Sequence, residues 1–151
     1  MTTAFRRTLV RLAVCIGLAS ATALTTMPVG HADPDKVFTW GDITVGDCTM
    51  FQGARWVLHS DGYAEFNGLV TSGSDNDAWL MHAALFDANH RYLGNIVNNW
   101  ATGGDLGKFV LNLPSSAQRY NWDLDKIHNA QKTYPPEAFR TVTRIELQNH
   151  C

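Results

Sequence analysis

The sequence predicts an all-β fold: an antiparallel sandwich or barrel, closed by one disulfide, with a short helical or loop excursion before the last strand. Three observations predict it. Short runs of strand-forming residues are broken by Gly, Asn, Asp and Ser at short intervals. Two of those runs fold back on themselves around turn residues. Beyond residue 32, the only cysteines are Cys48 and Cys151.

The first 32 residues are read as a secretory signal peptide. Arg6, Arg7 and Arg11 give it a positive start, and Thr8 to Leu24 is largely apolar. Gly30 and Ala32 follow Pro28 as small residues, which places cleavage after Ala32. As a membrane anchor, the run from Leu12 to Gly30 is diluted by Thr, Ser, Gly and Pro, whereas a span wants ~20 predominantly apolar residues. "FRRTLV" resembles a twin-arginine export signal, and the choice between that route and the general one is open. "LAVC" resembles a lipoprotein box. Val14 is large for the residue before a lipidated cysteine, however, and the apolar run continues past Cys15.

The mature chain is then 33–151, a single secreted domain without a membrane span, placed outside the cell or at its envelope. All fourteen acidic residues remain in it with nine of the twelve basic ones, a net charge of −5. That argues against nucleic acid and against an anionic membrane surface as partners.

The clearest hairpin is "ARWVLHSDGYAEFNGLV". A three-residue Ser60-Asp61-Gly62 turn, with Gly62 at positive φ, sets His59 opposite Tyr63. That register gathers Trp56, Leu58, Ala64, Phe66, Gly68 and Val70 on one face. In "AWLMHAALFDANHRYLGNIV", a turn at Ala88-Asn89-His90 sets Asp87 opposite Arg91, Phe86 opposite Tyr92 and Leu85 opposite Leu93. Both faces of Trp79 to Phe86 are apolar, which predicts a strand covered on both sides.

Residues after Leu113 read as irregular, with Asp123 to Ala130 at helical spacing and one more helical turn at Glu137 to Phe139. The last strand alternates. Thr143, Ile145, Leu147 and Cys151 fall on one face, so Cys151 is expected to point inward. In an exported chain two cysteines pair by default, so Cys48–Cys151 is the expected bridge. An intermolecular bridge through Cys151 is the alternative.

"FTWGDITVGDCTM", "SDGYAEFNGLVTSGSDNDAWLM" and the terminal cysteine resemble a family of small secreted actinobacterial β-domains of uncharacterised function. The resemblance spans roughly Phe38 to Cys151. It implies export, a compact β-rich domain and a Cys48–Cys151 pairing, and it implies no activity.

Chemistry is sparse. The sequence holds no Gly-x-Ser-x-Gly, no Gly-rich phosphate loop and no metal-spaced histidines, so no catalytic residue and no cofactor is expected. His59 and Asp61 bracket a turn. His82 is the odd histidine on an apolar strand, more simply a satisfied core residue than a base. Asp75 and Asp77 are the weak metal candidates, since Asp-x-Asp loops can supply oxygens to hard cations. Glu65 and Glu146 would serve glycoside hydrolysis only if brought ~5–9 Å apart.

Trp100, Tyr120, Trp122 and Tyr134 lie beside asparagines, a composition suited to stacking on sugars. Plugs for the ends of the sandwich are the simpler use of such rings. Trp122, among polar neighbours, is expected to be the more exposed, and Trp100 to be the plug. The resulting expectation is a monomeric, non-enzymatic binding or structural domain. It would bind a cell-wall glycan or an extracellular protein through those aromatics. The alternative is a small hydrolase with its site near His82 or the Asp75/Asp77 loop.

Overall fold

A computed structural model describes residues 33–99, 104–124 and 132–151. Two antiparallel sheets curl around one core as a half-barrel.

The first sheet is organised by the hairpin of β4 (Arg55–Leu58) and β5 (Ala64–Ser72). Its register is the expected one, with Trp56 opposite Phe66 and Leu58 opposite Ala64. His59 N–H donates to the Tyr63 carbonyl at 2.9 Å, and Gly62 takes φ 88°. Residues of β5 alternate buried and half-buried along its whole length, as period-two pleating requires of a strand with one core face. One edge of β5 is shared by β4 and, further along, by β3 (Cys48–Met50). The other edge takes β9 (Arg119–Asp123). β1 (Lys36–Thr39) adds to β4, and β2 (Ile43–Val45) to β3.

The second sheet repeats this plan around β6 (Asp77–Asp87). One edge of β6 carries β11 (Val142–His150). The other is shared by β7 (Tyr92–Asn98) and β8 (Phe109–Leu113). β10 (Lys132–Thr133) pairs with β7. Asp87 locks the β6–β7 turn. Its carboxylate accepts the Asn89 and Arg91 backbone N–H groups at 2.9 and 3.0 Å, and those bonds to the charged form hold it below the usual carboxylate range. His90 sits at φ 61°, as expected.

Three expectations of strand register and facing are corrected. Phe86 does face Tyr92, but a bulge then sets Leu85 opposite Gly94 rather than Leu93. Without it Asn95 would oppose Ala83 on the core face. With it Ile96 does, fully buried. Gly94 absorbs the kink at φ 136°, and a Cβ there would lie 3.1 Å from the Pro135 ring.

Second, β6 is not covered on both sides. Trp79, Met81, Ala83 and Leu85 are buried, while on the other face only Ala84 is buried and Leu80, His82 and Phe86 are half-exposed. An antiparallel sheet tolerates one wet face. Phe86 is covered there by the Tyr92 ring at 5.8 Å and the Arg144 guanidinium at 4.9 Å.

Third, a bulge between Val142 and Arg144 leaves Thr143 exposed and turns Val142 inward instead. Ile145 and Leu147 face the core as expected, but Cys151 is exposed.

The stretch expected to be irregular contains β9. Asp123 ends that strand, and the remainder of the expected helix lies outside the described residues. The helical turn near Glu137 is a 3₁₀ turn, Pro136–Ala138. Trp122 is 3% exposed and meets the Phe66 ring edge-on at 5.3 Å. Its polar neighbours Asn121 and Asp123 are the outward residues of an alternating strand, so they say nothing about the exposure of Trp122 itself.

The sheets meet at Trp56, whose ring centroid lies 5.1 Å from Phe66 in its own sheet and 5.3 Å from Phe109 in the other. The bond between Cys48 and Cys151 joins β3 to the end of β11, with Cα atoms 5.9 Å apart. At the far end of β5 the closure is by hydrogen bonds. Tyr63 bridges Thr133, Tyr134 N–H donates to the Gly62 carbonyl at 3.0 Å, and the Tyr134 hydroxyl donates to the His59 carbonyl. Among the described residues, no helix is long and apolar enough to cross a membrane.

Trp122→Ala should lower the unfolding free energy by about 3–5 kcal/mol in a urea titration, the cost of emptying a buried aromatic site. A change under about 0.5 kcal/mol would mean that the ring is not part of the core.

Candidate functional site

The register of β1 on β4 sets Lys36 opposite Leu58. Continued by one residue, it carries Asp35 to His59. The hairpin register likewise brings Tyr63 and Glu65 alongside. His59 Nδ1 lies 2.8 Å from Asp35 Oδ1, and Nε2 lies 3.5 Å from Glu65 Oε1. The imidazole stacks on Tyr63, with ring centroids 5.4 Å apart and planes 25° from parallel. These groups line a cleft of about 390 Å³ together with Asp33, Ser60 and Asp61.

Four carboxylates therefore surround one aromatic pair, and among the described residues no Lys or Arg lines the cleft. Asp33 is 3.8 Å from the largely exposed Arg140 guanidinium. Tyr134 closes the adjoining turn. Its burial, reinforced by the charges of Asp61 and Asp35, pushes the hydroxyl well above the ordinary tyrosine range. It is therefore a fixed neutral donor.

His59 Nδ1 is hydrogen-bonded to Asp35, whereas Nε2, 3.5 Å from Glu65 Oε1, is buried without a hydrogen bond. Four carboxylates around the imidazole suit the cleft to holding positive charge.

The other sequence candidates are dispersed. His82 projects from the outer face of β6, with Nε2 3.1 Å from Asp105 Oδ2 and Nδ1 buried without a hydrogen bond. Asp75 and Asp77 are committed to different partners. Asp75 accepts the Ser116 backbone N–H at 2.6 Å, and that bond lowers its pKa. Asp77 accepts the Ser72 hydroxyl at 2.8 Å and turns towards the disulfide.

Among the described residues, Cys48, Asp77 and Cys151 form the one group of three potential metal ligands, and both sulfurs are used in the bridge. Glu65 and Glu146 sit in different sheets, and Glu146 pairs with Arg144 at 2.9 Å. Trp122 and Tyr134 are buried. Tyr120 is half-buried on the core face of β9, its hydroxyl bonded to Ser115. Trp100 lies outside the described residues.

The sequence reading missed the Asp35–His59–Glu65 cluster. The His59–Glu65 proximity was implicit in the hairpin. The arrival of Asp35 depended on a non-local strand pairing that carries no local signal.

Residues 55–151 match the model of the family of unknown function DUF6294, and the chain belongs to that family. The match covers His59, Asp61, Tyr63 and Glu65 and begins after Asp33 and Asp35. No curated protein and no solved structure matches the chain.

Asp75 tests the metal reading. Its folded pKa lies below the unfolded value of about 3.9. Its contribution is therefore full above that value and lost as pH falls through the folded one. In urea titrations, the parent and Asp75→Asn should differ most above the ordinary aspartate pKa and converge as the pH falls below it. A gap independent of pH, or a parent midpoint raised by calcium, would contradict this structural role.

Proposed function

We propose that the chain is a secreted, monomeric, non-enzymatic binding domain. Its cleft around His59 takes a lysine or arginine side chain of an extracellular or cell-envelope protein. The observation that carries this reading is the cleft itself, a concavity of about 390 Å³ lined by Asp33, Asp35, Asp61 and Glu65 and, among the described residues, by no Lys or Arg. Export is supported by the layout of residues 1–32, and an excess of acid after residue 32 by the composition.

Opposite charge in a concave site raises the local concentration of a cationic group and its rate of encounter. The stacked Tyr63–His59 pair offers an aromatic wall for the alkyl stem or guanidinium plane of such a side chain. Arginine suits the site best, because its fork can engage two carboxylates at once. Glycan binding through loop aromatics has less support, since Trp122 and Tyr134 are both buried.

Hexa-arginine and hexa-lysine peptides, with hexa-glutamate as control, test the proposal by calorimetry. The basic peptides should bind, and affinity should fall steeply with salt. The Asp35→Asn/Glu65→Gln double variant should weaken binding about tenfold, the loss of roughly one close charge interaction. Failure of the basic peptides to bind, or equal binding by the double variant, would refute it.

A further inference from the structure

At the other end of β5 a carboxylate is fixed against the disulfide. Asp77 Oδ2 lies 3.2 Å from Cys151 Sγ and 3.6 Å from Cys48 Sγ. A disulfide has no S–H to donate, so neither approach is a hydrogen bond. The carboxylate is held in place by other groups. The Ser72 hydroxyl donates to Oδ2 at 2.8 Å, and the Ala78 backbone N–H to Oδ1 at 3.0 Å. Ser72 is 2% exposed and stands directly opposite Cys48 in the sheet. A negative charge therefore sits beside two sulfurs in a half-buried position, where it is screened less than it would be in water.

We propose that Asp77 is an electrostatic guard of the Cys48–Cys151 bond, slowing its exchange with external thiols. Exposure decides the route of attack, because Cys48 is fully buried and Cys151 is exposed. The incoming thiolate of a dithiol reductant reaches Cys151 Sγ and forms a mixed disulfide there. The Cys48–Cys151 bond breaks, and its electron pair leaves on Cys48 Sγ as a thiolate. The second thiol of the reductant then displaces Cys151. The reductant departs as a cyclic disulfide, and its two protons end on the two cysteines.

Both charged species of the first step, the attacking and the departing thiolate, develop next to the Asp77 carboxylate. The first is repelled. The second is made a poorer leaving group, since an anion raises the pKa of a neighbouring thiol as a cation lowers it. The Ser72 hydroxyl adds a second hydrogen bond to a carboxylate that the Ala78 N–H already holds beside the sulfurs.

The test measures bridge reduction by dithiothreitol under native conditions. Free cysteines are trapped by alkylation, and the Cys48 and Cys151 peptides are read by mass. Asp77→Asn keeps the shape and removes the charge, and should be reduced about tenfold faster than the parent. Ser72→Ala loosens the same place while keeping the charge, and should stay within about twofold of the parent. In strong denaturant, where Asp77 is no longer held beside the sulfurs, the parent and Asp77→Asn should react at equal rates. Equal native rates for the parent and Asp77→Asn would overturn the proposal. So would an equal acceleration by Ser72→Ala, or a difference that persists in denaturant.

Discussion

The bond between Cys48 and Cys151 ties the two sheets together at one corner. It joins the third strand of one sheet to the end of the last strand of the other, across a separation of 103 residues. Closing a loop of that length removes roughly 4–5 kcal/mol of unfolded-state entropy. A domain of this size has only about 5–15 kcal/mol of net stability, so one bond is comparable with the whole margin. The neighbourhood is built to match. Asn149, two residues before Cys151, accepts the indole N–H of buried Trp79 at 3.1 Å. Trp79 in turn follows Asp77 by two residues on the same strand. The last strand, the central strand and the bridge thus meet at one corner.

The two ends of β5 differ in kind. One end is covalent and carries a charged group against the sulfurs. The other, nine residues of strand or roughly 30 Å away, is closed by the Tyr63–Thr133 bridge and the hydrogen bonds of Tyr134. The acidic cleft lies at this second end, on a turn and on the segment leading into β1. A binding site on connecting segments, set on a scaffold fixed elsewhere, is a common division of labour in small β folds.

What could be read from the sequence was local. The β4–β5 register followed from alternation together with one glycine, because a slip of one residue would have turned Trp56 and Phe66 out of the core. The β6–β7 turn was legible at Asp87, His90 and Tyr92. It failed at Gly94, where a bulge answers to the packing of Ile96 and Pro135. The reading of Trp122 failed for a related reason. Polar flanking residues suggest exposure in a loop, whereas in a strand they are simply the outward half of the pattern. The cleft was the least legible part, since it needs Asp35 delivered to His59 by the pairing of β1 with β4. No property of residues 33–39 names that partner.

Equilibrium unfolding of a Cys48→Ser/Cys151→Ser double variant tests the central role of the bridge most directly. The variant should keep the near-ultraviolet signal of its buried tryptophans in buffer while losing about 2–5 kcal/mol of unfolding free energy relative to the oxidised parent. An unfolding free energy equal to that of the parent would show that the core alone holds the two sheets together, and would contradict a stabilising role for the bond.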